Sequence, residues 1–143
     1  MCYQVYKKYK MKHLFASIVL VTFLFAACSK DSMEILYGTW KVVSVEAEST
    51  ITGEKSTSSA SGTITFDEDG TGTLNYNFTV SGVTSSSSGA FEWNANDNTI
   101  TLNAGQPDAM TWERIENKKK KQVIQFEIDV TVDVLIIKLT LEM

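Results

Sequence analysis

The chain has 143 residues, 13 basic and 17 acidic side chains, a formal net charge of −4, and 43% hydrophobic residues. That length makes one domain and leaves no room for a second. The acidic balance excludes a nucleic-acid binder of the usual kind, which needs a basic face to neutralise phosphates.

Residues 14–27 carry no charge and come after Lys7, Lys8, Lys10 and Lys12. A basic stretch leading into an apolar one that ends in small residues is organised as a secretory signal peptide, and the apolar run falls short of the roughly 20 residues that span a bilayer. The segment Phe25-Ala26-Ala27-Cys28 resembles the lipobox of bacterial lipoproteins. The resemblance implies a signal peptide over 1–27, starting at Met1 or at Met11, with cleavage before Cys28 and acylation of its sulfur and new amino group. Stable anchoring requires more than one acyl chain. Ser29 comes directly after the cysteine; by the sorting rule of such lipoproteins this favours the outer membrane, on its periplasmic side or at the cell surface.

Cleavage would leave nine basic residues against all 17 acidic ones, a net charge of −8. It would also remove Cys2 and His13, so that Cys28 is the only cysteine and no histidine remains. Without them the mature chain has no Ser-His-Asp or Cys-His nucleophile and no histidine- or thiolate-bound zinc. No metal and no cofactor are expected, and catalysis would have to run on carboxylates, Lys or Tyr.

Residues 28–37 form a tether, with one helical turn begun by Asp31 or Ser32 that places Met33, Leu36 and Tyr37 to plug one end of the domain. The domain, 38–143, opens with Gly38-Thr39-Trp40, and beyond it the hydrophobic period is two. Ile64 and Phe66 alternate with Thr63 and Thr65, and Leu74, Tyr76, Phe78 and Val80 with Thr73, Asn75, Asn77 and Thr79. Such alternation builds strands with one face buried. Asp67-Glu68-Asp69-Gly70, Asn96-Asp97-Asn98 and Gly105-Gln106-Pro107-Asp108 supply turns between runs. Ile124, Phe126, Ile128 and Val130 have the opposite parity to Leu135, Ile137, Leu139 and Leu141, so the chain must turn near Val132. The strands predicted are 39–48, 62–67, 71–80, 89–95, 98–103, 109–115, 122–130 and 134–142. Eight sequential strands without helices favour an all-β, antiparallel up-and-down closed barrel; a two-sheet β-sandwich is the alternative.

Gly38-Thr39-Trp40 with Val42 and Val43, Thr65 to Gly72, Phe91-Glu92-Trp93-Asn94, and Asn98 to Leu102 together resemble the lipocalin-like domain of small Bacteroidetes-type lipoproteins. The resemblance covers essentially all of 38–143 and implies an eight-stranded lipocalin-like barrel. Lipocalins also place a late Arg on the tryptophan; here the only Arg is Arg114, on the sixth predicted strand.

Up-and-down order puts the connections 49–61, 81–88, 104–108 and 131–133 at the end away from the tether, and 67–70, 95–97 and 116–121 at the tether end. The mouth is therefore expected away from the membrane, rimmed by Ser49 to Gly62 and Ser81 to Gly89, with Gly38 and Trp40 at the floor. Tyr76, Phe78, Phe91, Trp93, Trp112 and Phe126 are the expected ligand contacts inside. A barrel of this size is either filled by its own side chains or holds one small ligand, and both readings stay open. Glu46 would point inward if the first strand ran without a bulge. In that register Val43, Val45 and Ala47 would lie outward beside Val134 and Ile136, a candidate protein contact centred on Val45, Val134 and Ile136. Lys118, Lys119, Lys120 and Lys121 form either a solvated turn or a patch facing anionic headgroups. The carboxylate pairs Asp67/Asp69 and Glu113/Glu116 sit on turns or outward faces, where nothing raises a pKa for acid catalysis, so no enzyme is expected. The expected function is a membrane-anchored lipoprotein binding a small apolar ligand near the mouth. The alternative is a non-enzymatic interaction or accessory module of a cell-envelope complex, with oligomeric state left open.

Overall fold

The computed structural model describes residues 32–143; the expected signal peptide, the start at Met11 and Cys28 lie outside the described residues. Eight strands succeed one another: β1 (Gly38–Ser49), β2 (Lys55–Phe66), β3 (Thr71–Val80), β4 (Val83–Ala95), β5 (Thr99–Leu102), β6 (Met110–Lys118), β7 (Lys121–Val130) and β8 (Asp133–Glu142). Each pairs antiparallel with its chain neighbours, and β8 returns to pair with β1, which closes the barrel. Closure replaces the sandwich alternative and leaves the sheet without two free edges.

The period-two pattern places the core. Ile64 and Phe66, Tyr76, Phe78 and Val80, and Leu135, Ile137, Leu139 and Leu141 are all buried on the inner face. Each such large apolar side chain contributes about 1.5–3 kcal/mol by leaving water. The aromatic side chains meet edge to face, Phe66 lying 4.9 Å from Trp93 and 5.7 Å from Phe91 between ring centroids.

Two expectations are corrected. The register of β1 shifts between Val42 and Ser44, where one extra residue of β1 is inserted opposite β8. A bulge of this kind flips parity: Trp40 and Val42 point inward before it, Val45 and Ala47 after it. The outward apolar set is therefore not built as expected, because Val45 is fully buried. Glu46 lies outward instead and pairs with Lys138 at 3.3 Å. Second, the Ser/Thr-rich stretches expected as long rim loops are strand. β2 begins at Lys55 and β4 at Val83, with Ala47 paired to Ser56 and Phe78 to Ser85. The β3–β4 connection shrinks to Ser81-Gly82, whose φ values of 50° and 74° fit the tight hairpin turn that matches strand twist. Ladder hydrogen bonds outweigh the turn preference of the serines, and Thr57 and Thr84, being β-branched, suit a strand.

The floor is closed by the described part of the expected tether. Residues 32–34 make one helical turn, Leu36 is fully buried, and Met33 and Tyr37 pack on the core. The Trp40 indole N–H donates to the Leu36 carbonyl at 2.7 Å. Arg114, buried despite its charge, donates to the carbonyls of Ser32 at 3.1 Å and Asn96 at 2.7 Å and to the side chain of Asn117. Gln122, also buried, donates to the Lys118 carbonyl at 2.8 Å. Polar groups thus staple the plug segment and two turns onto the floor, each bond satisfying a carbonyl that would be costly to bury alone.

Gly62 marks the tightest strand approach. A Cβ there would stand 2.0 Å from the Asn75 carbonyl oxygen, at φ 112°. Gly62→Ala should therefore destabilise the barrel by about 2–3 kcal/mol. Gly53→Ala, at φ 70° with nothing within 4 Å, should cost only about 1 kcal/mol. Urea midpoints of the two variants check the difference.

Candidate ligand-binding site

The wall of the barrel is complete around the floor and lowered on one side. β5 has four residues and meets β4 only through Trp93, Asn94 and Ala95, whereas β4 pairs with β3 along its whole length. Past Glu92, which is held by Asn103, the β5-facing edge of β4 has no ladder partner. β7 likewise pairs with β6 only as far as Gln125 and runs on to Val130 against β8 alone. A cleft of about 260 Å³ opens in this gap.

Its walls come from four strands. Leu74 and Tyr76 of β3 and Phe91 of β4 form one side; Leu102 of β5 with Met110 and Trp112 of β6 form the other. Phe91 can lie flat on β3 because Gly72 has no side chain: a Cβ there would stand 2.6 Å from the ring. The Tyr76 ring stacks 6.2 Å from Phe78 and is buried, and its hydroxyl has no hydrogen-bond partner among the described residues. Burial raises its pKa, so it stays a neutral phenol. Trp112 is fully buried, and its indole N–H reaches only the Met110 thioether sulfur at 3.1 Å, a weak acceptor. Met110 itself is 46% exposed. On β4 the inner face turns to half-buried hydroxyl, with Ser87 in the cleft opposite Tyr76 and Ser85 beyond it opposite Phe78.

The six aromatics expected at the site divide. Tyr76, Phe91 and Trp112 line the cleft. Phe78 is buried and stacked on Tyr76, and Phe126 lies 6.1 Å from Trp112; neither lines the cleft. Trp93 sits lower, edge-on to Tyr37 of the plug, with its indole N–H spent on the Thr71 carbonyl at 2.8 Å. Ser87, of the expected rim, lines the cleft as well, and so do Leu74, Leu102 and Met110, which were not among the expected contacts. The inward parity of Met110 with Trp112 was the available signal for one of them. Gly38 and Trp40 lie at the closed end, Gly38 exposed at φ 115° and Trp40 buried.

Outside the barrel, Val134 and Ile136 are half-buried on β8. Lys118 and Lys121 both bind Glu116, the latter at 3.0 Å, while Lys119 and Lys120 stand exposed in the β6–β7 turn. Hydrogen bonds from Lys118 and Lys121 hold the Glu116 carboxyl below its ordinary range. Hydrogen bonds from Thr71 do the same for Asp69, which lines a second, polar cleft of about 290 Å³ with Glu92 and Asn94. Among the described residues no group of three metal-ligating side chains comes together.

A family model described as a lipocalin-like domain matches residues 36–129. No curated protein matches the sequence. Among solved structures the chain is similar to one described as "The Siderocalin Ex-FABP functions through dual ligand specificities", at 12% identity, with 76% of this chain and 73% of that one covered and a TM-score of 0.45.

At the open end the rim is held by Asp133, which accepts hydrogen bonds from Ser49 Oγ at 2.5 Å, Thr50 Oγ1 at 3.0 Å and the Val134 N–H at 2.7 Å. These bonds, the Ser49 one foremost, lower its pKa. A carboxyl depressed by folding stabilises the fold above its unfolded pKa of about 3.9 and loses that stabilisation as pH falls through the lower folded value. Asp133→Asn should therefore flatten the acid limb of the stability–pH curve, below about pH 4, with little change in shape near neutrality; thermal melts across that range check it.

Proposed function

Because the chain belongs to the lipocalin-like domain family, we propose that it binds a small apolar ligand non-covalently near the barrel mouth, in the cleft between β4 and the β5–β6 hairpin. The observation that carries this reading is the cleft itself, about 260 Å³ walled by Leu74, Phe91, Leu102 and the rings of Tyr76 and Trp112. Small-molecule sites combine apolar walls with a few convergent polar groups, here Ser87, Ser88, Asn103 and Asp108 beside the rings. Below it the interior is occupied by Trp40, Ile64, Phe66, Ile124 and Leu139, all fully or almost fully buried. The ligand is therefore held high on one side of the barrel.

The role is non-enzymatic. Asp69 and Glu116 are shifted toward lower pKa, opposite to the shift a general acid needs at neutral pH. Acyl chains on Cys28 hold the barrel at the cell envelope, at the outer membrane; this part rests on Phe25-Ala26-Ala27-Cys28 and the apolar run before it. Lys119 and Lys120, on a tether-end turn and unclaimed by Glu116, add an attraction to anionic headgroups of about 1 kcal/mol each.

A second reading, an interaction or accessory module in a cell-envelope complex, is favoured by one observation. Ile51 and Val132 are 70% and 82% exposed on turns that Asp133 ties together at the open end. Paired apolar tips of this kind are candidates for protein contact.

N-phenyl-1-naphthylamine, an apolar dye without oxygen, should bind at one saturable site with a blue-shifted emission, and Ser87→Phe, which fills the cleft, should weaken it at least tenfold. Absence of saturable binding, or indifference to Ser87→Phe, would contradict the ligand reading. Cys28→Ser should abolish metabolic labelling with an alkyne fatty acid and release the protein from the membrane fraction.

A further inference from the structure

Two neutral donors, the Tyr76 hydroxyl and the Trp112 indole, stand among the aromatic walls of the cleft, with Ser87, Ser88, Asn103 and Asp108 completing its polar lining. The Trp112 indole can only donate, and its present acceptor is a thioether, which forms weak hydrogen bonds. The Tyr76 ring is buried, while its hydroxyl makes no hydrogen bond among the described residues and is left open to the cleft. A buried donor without a good acceptor costs free energy that a ligand oxygen recovers on binding. Neither donor is charged, and no Lys or Arg lines the cleft. The only ionisable carboxyl on its rim is Asp108, which accepts from Asn103 Nδ2 at 2.8 Å. An anion would meet that carboxylate with no cation to offset it. An ammonium group would be drawn to Asp108 at the rim, where Asn103 already occupies one carboxylate oxygen, yet it brings only donors and would leave the indole on its sulfur.

Met110 stands between solvent and Trp112. Its side chain is 46% exposed while the indole beneath it is fully buried. An unbranched thioether repacks at low cost, so it can swing aside without disturbing the strand that carries it.

We infer that the cleft selects a neutral, ring-containing molecule bearing a carbonyl or hydroxyl oxygen, and that Met110 is the displaceable cover beneath which that oxygen replaces sulfur on the Trp112 indole N–H. This rests on the ligand-binding reading above and adds the ligand's charge, its polar group and its route. The ring lies against Phe91 and Tyr76, the oxygen sits between the Tyr76 hydroxyl and the Trp112 N–H, and access is from the side of the barrel.

The test compares three fluorescent probes on the purified protein: neutral, carbonyl-bearing 6-propionyl-2-(dimethylamino)naphthalene, the anion 1-anilinonaphthalene-8-sulfonate and the cation thioflavin T. The neutral ketone should bind at least tenfold tighter than either ion. Tyr76→Phe and Trp112→Phe should each weaken the ketone about five- to tenfold and weaken N-phenyl-1-naphthylamine, which has no oxygen to bond, severalfold less, so that the ratio of the two affinities falls. Met110→Leu, which keeps an apolar cover but removes the sulfur acceptor, should tighten the ketone several-fold. Should Trp112→Phe fail to fold, Tyr76→Phe and Met110→Leu still decide. Equal binding of ketone and anion, or a ketone affinity unmoved by both Tyr76→Phe and Met110→Leu, overturns the inference while N-phenyl-1-naphthylamine binding leaves the general ligand reading intact. Failure of all probes, that dye included, overturns both.

Discussion

The ladder between β1 and β8 is the constraint on which the rest depends. Once Val42 pairs with Leu141 and Ser49 with Leu135, the sheet has an inside, and every second residue of every strand must fit there. The pairing runs only because β1 inserts one residue between Val42 and Ser44. Without that shift Val45 and Ala47 would face water and Glu46 would be driven into the apolar interior, an arrangement several kcal/mol less favourable for an unpaired carboxylate. With it, Glu46 reaches Lys138 on the outer face. The bulge therefore serves closure and removes an exposed apolar stripe at once.

Closure is uneven, and function tracks the unevenness. At the floor the interior is filled by large side chains and sealed by the turn of residues 32–34, with Trp40 and Arg114 satisfying the carbonyls the seal would otherwise bury unpaired. Toward the mouth the inner residues shrink to Ser56, Ser58, Ser85 and Ser87, and β5 stops after four residues. Small inner side chains and a short strand together leave space that the core does not claim. The cleft is where large aromatics from the filled half, Phe91 and Trp112, border the empty half.

Much of this was legible along the chain and some was not, for identifiable reasons. Leu74 to Val80 and Leu135 to Leu141 alternate cleanly, so their strands and faces can be read from the period alone. Val42, Val43 and Val45 fit either parity, and a bulge among like residues leaves no compositional mark. The Ser/Thr stretches suit both loops and strands; the deciding factors were a two-residue turn at Ser81-Gly82 and partners far along the chain. The end of β5 depends on Asn103, which takes φ 48° and turns its side chain back to the Glu92 N–H, a local choice that hydrophobic patterning does not register. Arg114 and Gln122 hold inward positions in parity, yet their polarity concealed that they cap the floor.

Native mass spectrometry of the protein recovered from its own cells tests the central claim most directly. The account predicts one small neutral molecule, containing oxygen, retained non-covalently per chain and released on unfolding. A bare chain after gentle recovery, or a protein partner in place of any small molecule, would contradict it.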